Sequence, residues 1–483
     1  MTATPPAILA LDLGTTEVKA GLLTAHGRLI AAGRHSYPID MDAGGGRAEQ
    51  DPEAWWAALA AAIGQVTAGI HGEIAAICAV GQGPTMVALD AAGAAVYPAI
   101  TWMDGRAGDE AADLERATGL SGWGLGVLPD ALWLERHEAA SAARARWYFN
   151  AWEWAAFRLT GVARTTRSLG QVLPDPVQAG ATGLATERVP PVADTGSVVG
   201  SLTAAAASAL GLRAGIPIVA GMVDSFASFH GAGLTDPGDA VDTGGTSGGL
   251  AVYWDSAPSI TDTWVARAPL PGRWIVGGAM TATGKALDWL ADDILGGASV
   301  KTLLAEAGTV GPGADGLVFL PYLAGERSPI WDPGARGAFV GLTLAHGRAH
   351  LARAVLEAAA LALRHVATPI LAAGLRIDHL VVTGGTARGD GWNQIKADVL
   401  RVPVVVPAVR ETAIVGAAIL GATAVGWHPD TSAAIAAMVG TDHRLEPVAA
   451  RAAVYDALFE AYVGLWPAIE PTVRRLRELP SSD

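Results

Sequence analysis

The stretch ILALDLGTTEVKAGLL, residues 8–23, runs an apolar segment into Asp12, turns through Gly14-Thr15-Thr16, and resumes alternation afterwards. The apolar part reads as a buried strand and the alternating part as a second strand, joined by a glycine-containing turn. A Gly-Thr-Thr turn can aim backbone N–H groups and hydroxyls into one concavity, where phosphate oxygens meet donors already in place. Asp12 at the strand end would then hold Mg²⁺, largely through water, because that ion prefers oxygen ligands and keeps much of its hydration. The same residues read equally as a tight hairpin in which Gly14 serves geometry alone, since short glycine motifs recur by chance.

Working outward, residues 28–34 (RLIAAGR) extend the meander to a third strand. Asp51 and Pro52 then open a helix with a capping acid and a proline in the first turn. Strands return over residues 74–101, helices cover much of 105–160, and a buried strand, IPIVAG, recurs near residue 216. The segment AVDTGGTSGGLAVYW then echoes the opening one. Asp242, Gly244, Gly245, Thr246 and Ser247 repeat the acid, glycine and hydroxyls of Asp12 to Thr16, which points to a duplicated unit. The expected organisation is α/β in two domains, residues 1–248 and 249–483, with terminal helices after about 430.

Composition narrows the function. With 483 residues, 51% of them hydrophobic and 17% charged, the chain has material for large cores and no case for disorder. A net charge of −14 argues against a nucleic-acid binder, which needs a basic footprint, although a local site can still take a negatively charged substrate. The single cysteine, Cys78, lies in the apolar run IAAICAV and reads as a small buried hydrophobe. No signal peptide is legible at the start. TAIVGAAILGATAVGWHP and TGSVVGSLTAAAASALGL are rich in Gly, Ala, Ser and Thr, and neither supplies the ~20 strongly apolar residues of a bilayer crossing. They read as closely packed interior elements. The expectation is a soluble, cytoplasmic protein with no membrane partner.

Two further segments bear on chemistry. Residues 381–407, VVTGGTARGDGWNQIKADVLRVPVVVP, read as a strand ending at Gly384-Gly385, a helix from about Gly391 to Leu400, and another strand. Glycines at a strand end let a flat ligand approach the backbone. The spacing is not that of a dinucleotide fold, and no G-x-x-x-x-G-K-[ST] occurs. Asp224, in VAGMVDSFASFHGAG, follows a buried strand at a helix N-terminus. There the helix dipole favours the ionised carboxylate that a general base requires, and an ordinary helix cap is the plainer reading.

Taken together these segments resemble the FGGY family of carbohydrate kinases, within the superfamily shared with actin, hexokinase and the seventy-kilodalton chaperones. DLGTTEVKAG is similar to the family's first phosphate loop, DTGGTSGG to its second and VVTGGTARGDGWNQIKADVLRVPV to its adenosine segment. GERSPIWDPGARGAFVGLTLAHGRAHLARAVLEA resembles the C-terminal signature, with Gly337, Gly341, His350 and Glu357 at matching spacing. AITWMDGRA resembles a sugar-side Trp-x-Asp-x-Arg pattern. The five matches fall in order along nearly the whole chain.

The resemblance implies two ribonuclease-H-like (actin-like ATPase) domains with an interdomain cleft, and transfer of the γ-phosphoryl group of ATP, with Mg²⁺, to a sugar or polyol hydroxyl. It implies Asp224 as catalytic base, Asp12 as the metal-side acid, and Gly14, Thr15 and Thr16 as the first phosphate turn. Gly245, Thr246 and Ser247 form the second turn, and Gly284, Asp288, Gly384, Gly385 and Thr386 take nucleotide-side places. Such chemistry asks mainly for positioning and charge neutralisation, which hydroxyl-rich turns and one aimed carboxylate supply.

On the sugar side the resemblance implies Gln82, Gly83, Pro84, Trp102, Asp104, Arg106, Asp224 and Ser225. D-Xylulose kinases in the family usually carry Met-His where this chain has Gly83-Pro84, and often Asn where it has Ser225. The hydroxyl pattern read here therefore need not be theirs, since selectivity rests on pairing each buried polar group. D-Xylulose is the leading single acceptor, with ribulose, glycerol, gluconate and erythritol types as alternatives. Trp102 reads equally as packing, and Arg106 as a partner of Asp104 or a helix acid. Lys19 could reach phosphate or sit solvated on a strand, and His350 caps or packs a helix. A nucleotide-switch binding protein of the same superfamily is a different reading, which the presence of Asp224 and TWMDGR opposes. The oligomeric state is not legible, although dimers are common among similar proteins.

Overall fold

The computed structural model describes residues 5–42, 46–69, 72–166, 176–245 and 248–479. It divides into two compact units. The first comprises Met1–Gly233, Ala268–Pro271 and Glu411–Gly440; the second comprises Leu234–Arg267, Gly272–Arg410 and Thr441–Asp483.

In the first unit the meander is β1 (Ala7–Leu13), β2 (Glu17–Leu23) and β3 (Leu29–Ser36). Helix α1 (Pro52–Thr67) follows, with the Asp51 side chain accepting from the Glu53 N–H and Pro52 in the first turn, as the sequence indicates. Then come β4 (Ile74–Gly81), α2 (Ala151–Thr160), β5 (Val198–Ser201), β6 (Pro217–Val219) and α3 (Asp224–Gly231). The sheet order is β5-β6-β4-β1-β2-β3. β1 runs antiparallel to β2 but parallel to β4, and β4 parallel to β6. Every residue of β1 is buried, which is why it reads as one apolar run rather than an alternation. Trp55, Trp154 and Phe149 fill the core beneath α1. Cys78 is buried in β4, and burial pushes its thiol up to about 12.

The second unit repeats the plan. Its strands and helices are β7 (Asp239–Asp242), β8 (Gly248–Trp254), β9 (Trp264–Arg267), β10 (Trp274–Met280), α4 (Thr283–Trp289), α5 (Arg348–Ala372), β11 (His379–Val382), α6 (Asp390–Leu400) and β12 (Val404–Pro407). The chain then gives α7 (Thr412–Ala424) to the first unit before returning with β13 (Thr441–Leu445) and α8 (Ala452–Arg477). The order is β9-β10-β8-β7-β11-β12-β13. β10-β8-β7-β11-β12 matches β3-β2-β1-β4-β6 in order and in every strand direction. The echo of Asp12-Leu13-Gly14-Thr15-Thr16 at Asp242 thus marks the same turn, between the first and second strands of each unit. The helix α5 is long and apolar, and it lies in the second unit's core.

Two features differ from the contiguous division at 248/249. The compact units part at Gly233/Leu234, so the Asp242 turn opens the second unit instead of closing the first. Residues 411–440 also return to the first unit. The reason is packing: α7 is apolar around its whole circumference, with every residue from Thr412 to Ala422 buried. A Cβ on Gly416 would lie 1.9 Å from the Ala227 carbonyl of α3, and one on Gly231 would lie 1.9 Å from the Thr412 carbonyl. The two helices touch backbone to backbone, and a Cβ on Gly421 would lie 2.5 Å from Ile8 of β1.

Candidate active site

Three neighbouring strand ends build the site in the first unit. In register, Leu13 of β1 lies beside Gly81 of β4, and Gly81 bridges in parallel to Val223. The residues that follow are Gly14, Gln82 and Asp224, so the turn, the amide and the carboxylate leave the sheet side by side. Carboxyl ends of parallel strands are where α/β sheets bind ligands. Asp224 is the first residue of α3, and its Oδ1 accepts the Ser225 N–H at 2.6 Å. Gly221 permits this approach, because a Cβ there would lie 1.7 Å from the Ala79 carbonyl.

The Gly14–Thr16 turn is held from several sides. The Gly14 N–H donates to Glu17 O, Tyr37 N–H donates to Thr16 O, and the Tyr37 hydroxyl donates to Gly14 O. Trp102, exposed on one face, donates its Nε1–H to Thr15 Oγ1 at 3.0 Å. Gln50 donates through Nε2 to Thr15 O at 2.7 Å. The N–H groups of Thr15 and Thr16 have no partner among the described residues, as a nest for phosphate oxygens requires.

Charges converge on the same place. Asp12 is buried, its Oδ2 is 4.0 Å from Lys19 Nζ, and its Oδ1 has no partner among the described residues. Burial, opposed by Lys19 and reinforced by the Asp224 carboxylate, pushes Asp12 up to about 7. Burial also raises Asp224, while the Ser225 N–H and Lys19 act in the other direction. Lys19 is partly exposed but not free, since Glu411 Oε2 lies 2.9 Å away and Glu17 and Asp12 flank it. Burial alone would lower the Lys19 amine, but Asp12 and Glu411 outweigh it and the net shift is upward. A buried carboxylate oxygen left unpaired costs about 1–3 kcal/mol or more, so a cation-bound water on Asp12 Oδ1 fits the chemistry of the site. Among the described residues no three His, Cys, Asp or Glu side chains cluster as a metal cage, and Mg²⁺ in phosphoryl-transfer sites is usually held by one or two carboxylates together with phosphate oxygens and water.

In the second unit the equivalent strand end is closed by a buried pair, Lys396 Nζ to Asp242 Oδ2 at 2.6 Å. Thr383 donates from N and Oγ1 to Asp242 O, joining the ends of β7 and β11. Gly384 has a φ of +63°, and a Cβ there would lie 2.0 Å from Gly244 O, so glycine at 384 is required by both conformation and contact. The structure thus brings Gly244, Gly245, Gly384 and Gly385 to one end of that sheet. Thr246 and Ser247 lie outside the described residues, and Thr386 is placed only by its backbone, in the turn Gly385–Arg388. Gly284 sits in the first turn of α4, next to Thr283, whose Oγ1 faces Gly248 of β8, and Asp288 is exposed on the same helix.

The comparisons with known proteins agree with this plan. Family models match residues 7–231 as the N-terminal domain and residues 240–425 as the C-terminal domain of the FGGY family of carbohydrate kinases. The chain belongs to that family. A xylulose kinase of Escherichia coli is 32% identical over 411 residues, covering 81% of this chain and 84% of that protein. A gluconokinase of Bacillus subtilis is 27% identical over 501 residues, covering 96% of each. The crystal structure of xylulose kinase from Rhodospirillum rubrum superposes with a TM-score of 0.82 at 32% identity, covering 97% of this chain and all of that one. The fold is the two-domain actin-like ATPase architecture.

Within this FGGY chain the sugar-side residues divide. Gln82 is buried, and Gly83 is confined by Trp152, whose ring would lie 2.6 Å from a Cβ at 83. Pro84 follows in a cis peptide bond, and Ser225 is fixed through its N–H. Asp104 and Arg106 hold each other in a forked pair at 2.7–2.8 Å. Asp104 also accepts the Ala48 N–H, and Arg106 reaches Glu49 at 2.8 Å and stacks over Trp133. The Asp104 carboxylate is fully covered, so this pair shapes the wall in the way an internal ion pair does. His350 caps α5, accepting the Gly347 N–H at 3.1 Å. Gln50 and Glu411 escaped the sequence reading. Gln50 directly precedes the α1 cap and looks like any polar residue at a helix start. Glu411 looks like a cap on α7, and only the return of α7 to the first unit sets it against Lys19.

Proposed function

We propose that this chain transfers the γ-phosphoryl group of ATP to a hydroxyl of a small sugar or polyol, with D-xylulose as the leading acceptor. The observation that carries the reading is the alignment of Leu13, Gly81 and Val223, which sets a phosphate turn, a buried amide and a carboxylate next to one another. Asp224 takes the proton from the acceptor hydroxyl. Its burial raises it toward the operating pH, while the Ser225 N–H keeps the anion oriented. The Gly14–Thr16 turn holds phosphate oxygens through N–H groups already in place, without reorganisation during transfer. Asp12 would hold Mg²⁺ through water, and the ion would neutralise charge on the phosphates. The enzyme is read as cytoplasmic.

Xylulose kinases at 32% identity favour the ketopentose, and the gluconokinase with nearly full coverage keeps an aldonate as the alternative. Gly83, Pro84 and Ser225 are where the two would separate. The deciding experiment measures ADP release with D-xylulose, D-ribulose, gluconate, glycerol and erythritol. Sugar-dependent turnover is expected with at least one of them. Asp224→Asn lowers kcat by about 10²–10⁴-fold and leaves the sugar KM within a few fold. Near-normal turnover in that variant would sink the base assignment, and hydrolysis independent of every sugar would sink the kinase reading.

A further inference from the structure

Gln82 follows Gly81 as Asp224 follows Val223 across the parallel bridge; its amide is buried, and its orientation follows from Gln50 and Trp55. Trp55 is wholly buried, and its indole N–H can only donate; it meets Gln50 Oε1 at 3.2 Å. On the other side Thr15 O can only accept, and it meets Gln50 Nε2 at 2.7 Å. These two partners fix which end of the Gln50 amide is oxygen and which is nitrogen. Pro38 O, at 3.5 Å, faces the same nitrogen. The second lone pair of Gln50 Oε1 accepts from Gln82 Nε2 at 2.7 Å, so the Gln82 atom facing it must be the nitrogen. Gln82 Oε1 is left facing elsewhere. It is buried, and it has no hydrogen-bond partner among the described residues.

A buried amide oxygen without a donor is an exception that calls for an explanation. Trp152 lies against Gly83, and Asp224 is the neighbour across the Gly81–Val223 bridge, so the explanation lies on the acceptor side of the site. We infer that Trp55 and Gln50 are positioning residues, which lock the Gln82 amide so that its oxygen accepts a hydrogen bond from a hydroxyl of the acceptor substrate. The position selects a hydroxyl or other donor group and rejects a carbonyl or carboxylate oxygen there. The same Gln50 fastens the phosphate turn through Thr15 O, so one side chain sets the distance between sugar recognition and phosphate recognition. The inference rests on the kinase reading above.

The test is steady-state kinetics of Gln82→Met, Gln50→Leu, Gln50→Glu and Trp55→Phe on D-xylulose, D-ribulose, gluconate, glycerol and erythritol, with thermal melting as a folding check. Gln82→Met raises the sugar KM on the order of tenfold, the loss of one buried hydrogen bond. Gln50→Leu does the same, and the Gln50→Leu/Gln82→Met double variant is no worse in sugar KM than Gln82→Met, because the two act on one bond. Gln50→Glu keeps an acceptor facing Trp55 and Gln82 but sets an anionic oxygen against Thr15 O. It therefore leaves the sugar KM near native and raises the KM for ATP. Trp55→Phe keeps a ring in the core and removes only the N–H, so its sugar KM rises by a smaller factor. If Gln50→Leu and Trp55→Phe leave the sugar KM within twofold while Gln82→Met raises it, the positioning role is overturned and the kinase reading stands. If Gln50→Glu and Gln50→Leu shift the sugar and ATP values alike, Gln50 is merely structural. If the native enzyme turns over none of the five sugars, both readings fall together.

Discussion

Replacing Gly416 with alanine sets two physical effects against each other, and the sign of the result decides between them. Gly416 lies within α7, where helix propensity alone predicts that alanine stabilises by about 1 kcal/mol. The close crossing with α3 predicts the opposite. A Cβ at 416 would lie 1.9 Å from the Ala227 carbonyl oxygen, 2.5 Å from its carbon and 2.9 Å from its Cα. The obstruction is backbone, so no side-chain rotation relieves it; α3 and α7 must separate by about 1.3 Å or more to reach an ordinary contact. Overpacking of this kind costs about 1–3 kcal/mol, and here it also disrupts the burial of α7 against β1. The net expectation is a loss of about 2 kcal/mol, roughly 4–8 °C in Tm for a unit of this size. Because α3 begins at Asp224, a shift of about 1 Å in that helix also misplaces the carboxylate, and kcat falls by up to about 10²-fold. Differential scanning calorimetry and steady-state kinetics on Gly416→Ala check both. A variant that melts at or above the native temperature with native kcat would refute the packing of α7 on α3, and with it the assignment of residues 411–440 to the first unit.

Two other perturbations test the buried charges. His230 is buried in α3 and burial pulls its imidazole from 6.5 down to about 4, so the unfolded chain takes a proton more readily than the folded one. Its contribution is therefore undiminished above pH 6.5 and is lost as the pH falls toward 4, at about 1.4 kcal/mol per unit. Urea unfolding between pH 7 and 4.5 should show a shallower loss for His230→Gln than for the native chain, and identical slopes would contradict the assignment. In the second unit, Lys396→Met leaves Asp242 buried without its partner and lowers stability by about 3–5 kcal/mol. The Lys396→Met/Asp242→Asn double variant recovers part of that loss; additive losses in chemical denaturation would show that the pair is not coupled.

Much of the first unit's strand plan was legible because local chemistry and tertiary burial agree there. The run from Ile8 to Leu13 is apolar because β1 is buried on both faces, and Asp51-Pro52 caps α1 in place. The echo of Asp12 at Asp242 correctly marked a duplicated turn, since both sit between the first and second strands of matching sheets. Arg106 was readable as a partner of Asp104 because the two are two residues apart. What escaped was set by residues distant in the chain. Gln50 and Gln82 are 32 positions apart, and nothing in either neighbourhood announces that their amides meet.

By itself, the sequence indicated the α/β class, the repeated Gly-Thr turns after Asp12 and Asp242, the strands that flank them, and the residue types that phosphoryl transfer asks for. These are local properties: an apolar run, a glycine where backbone must turn, an acid at a strand end. Tertiary structure alone decided where the units part, because α7 is apolar on all sides and can be buried against either half until packing chooses. It chose the first unit, through Gly416 on Ala227 and Gly231 on Thr412, and so set Glu411 against Lys19. It also oriented Gln82, since an amide has two nearly equivalent ends and only the donor-only Trp55 and the acceptor-only Thr15 carbonyl, meeting at Gln50, tell them apart.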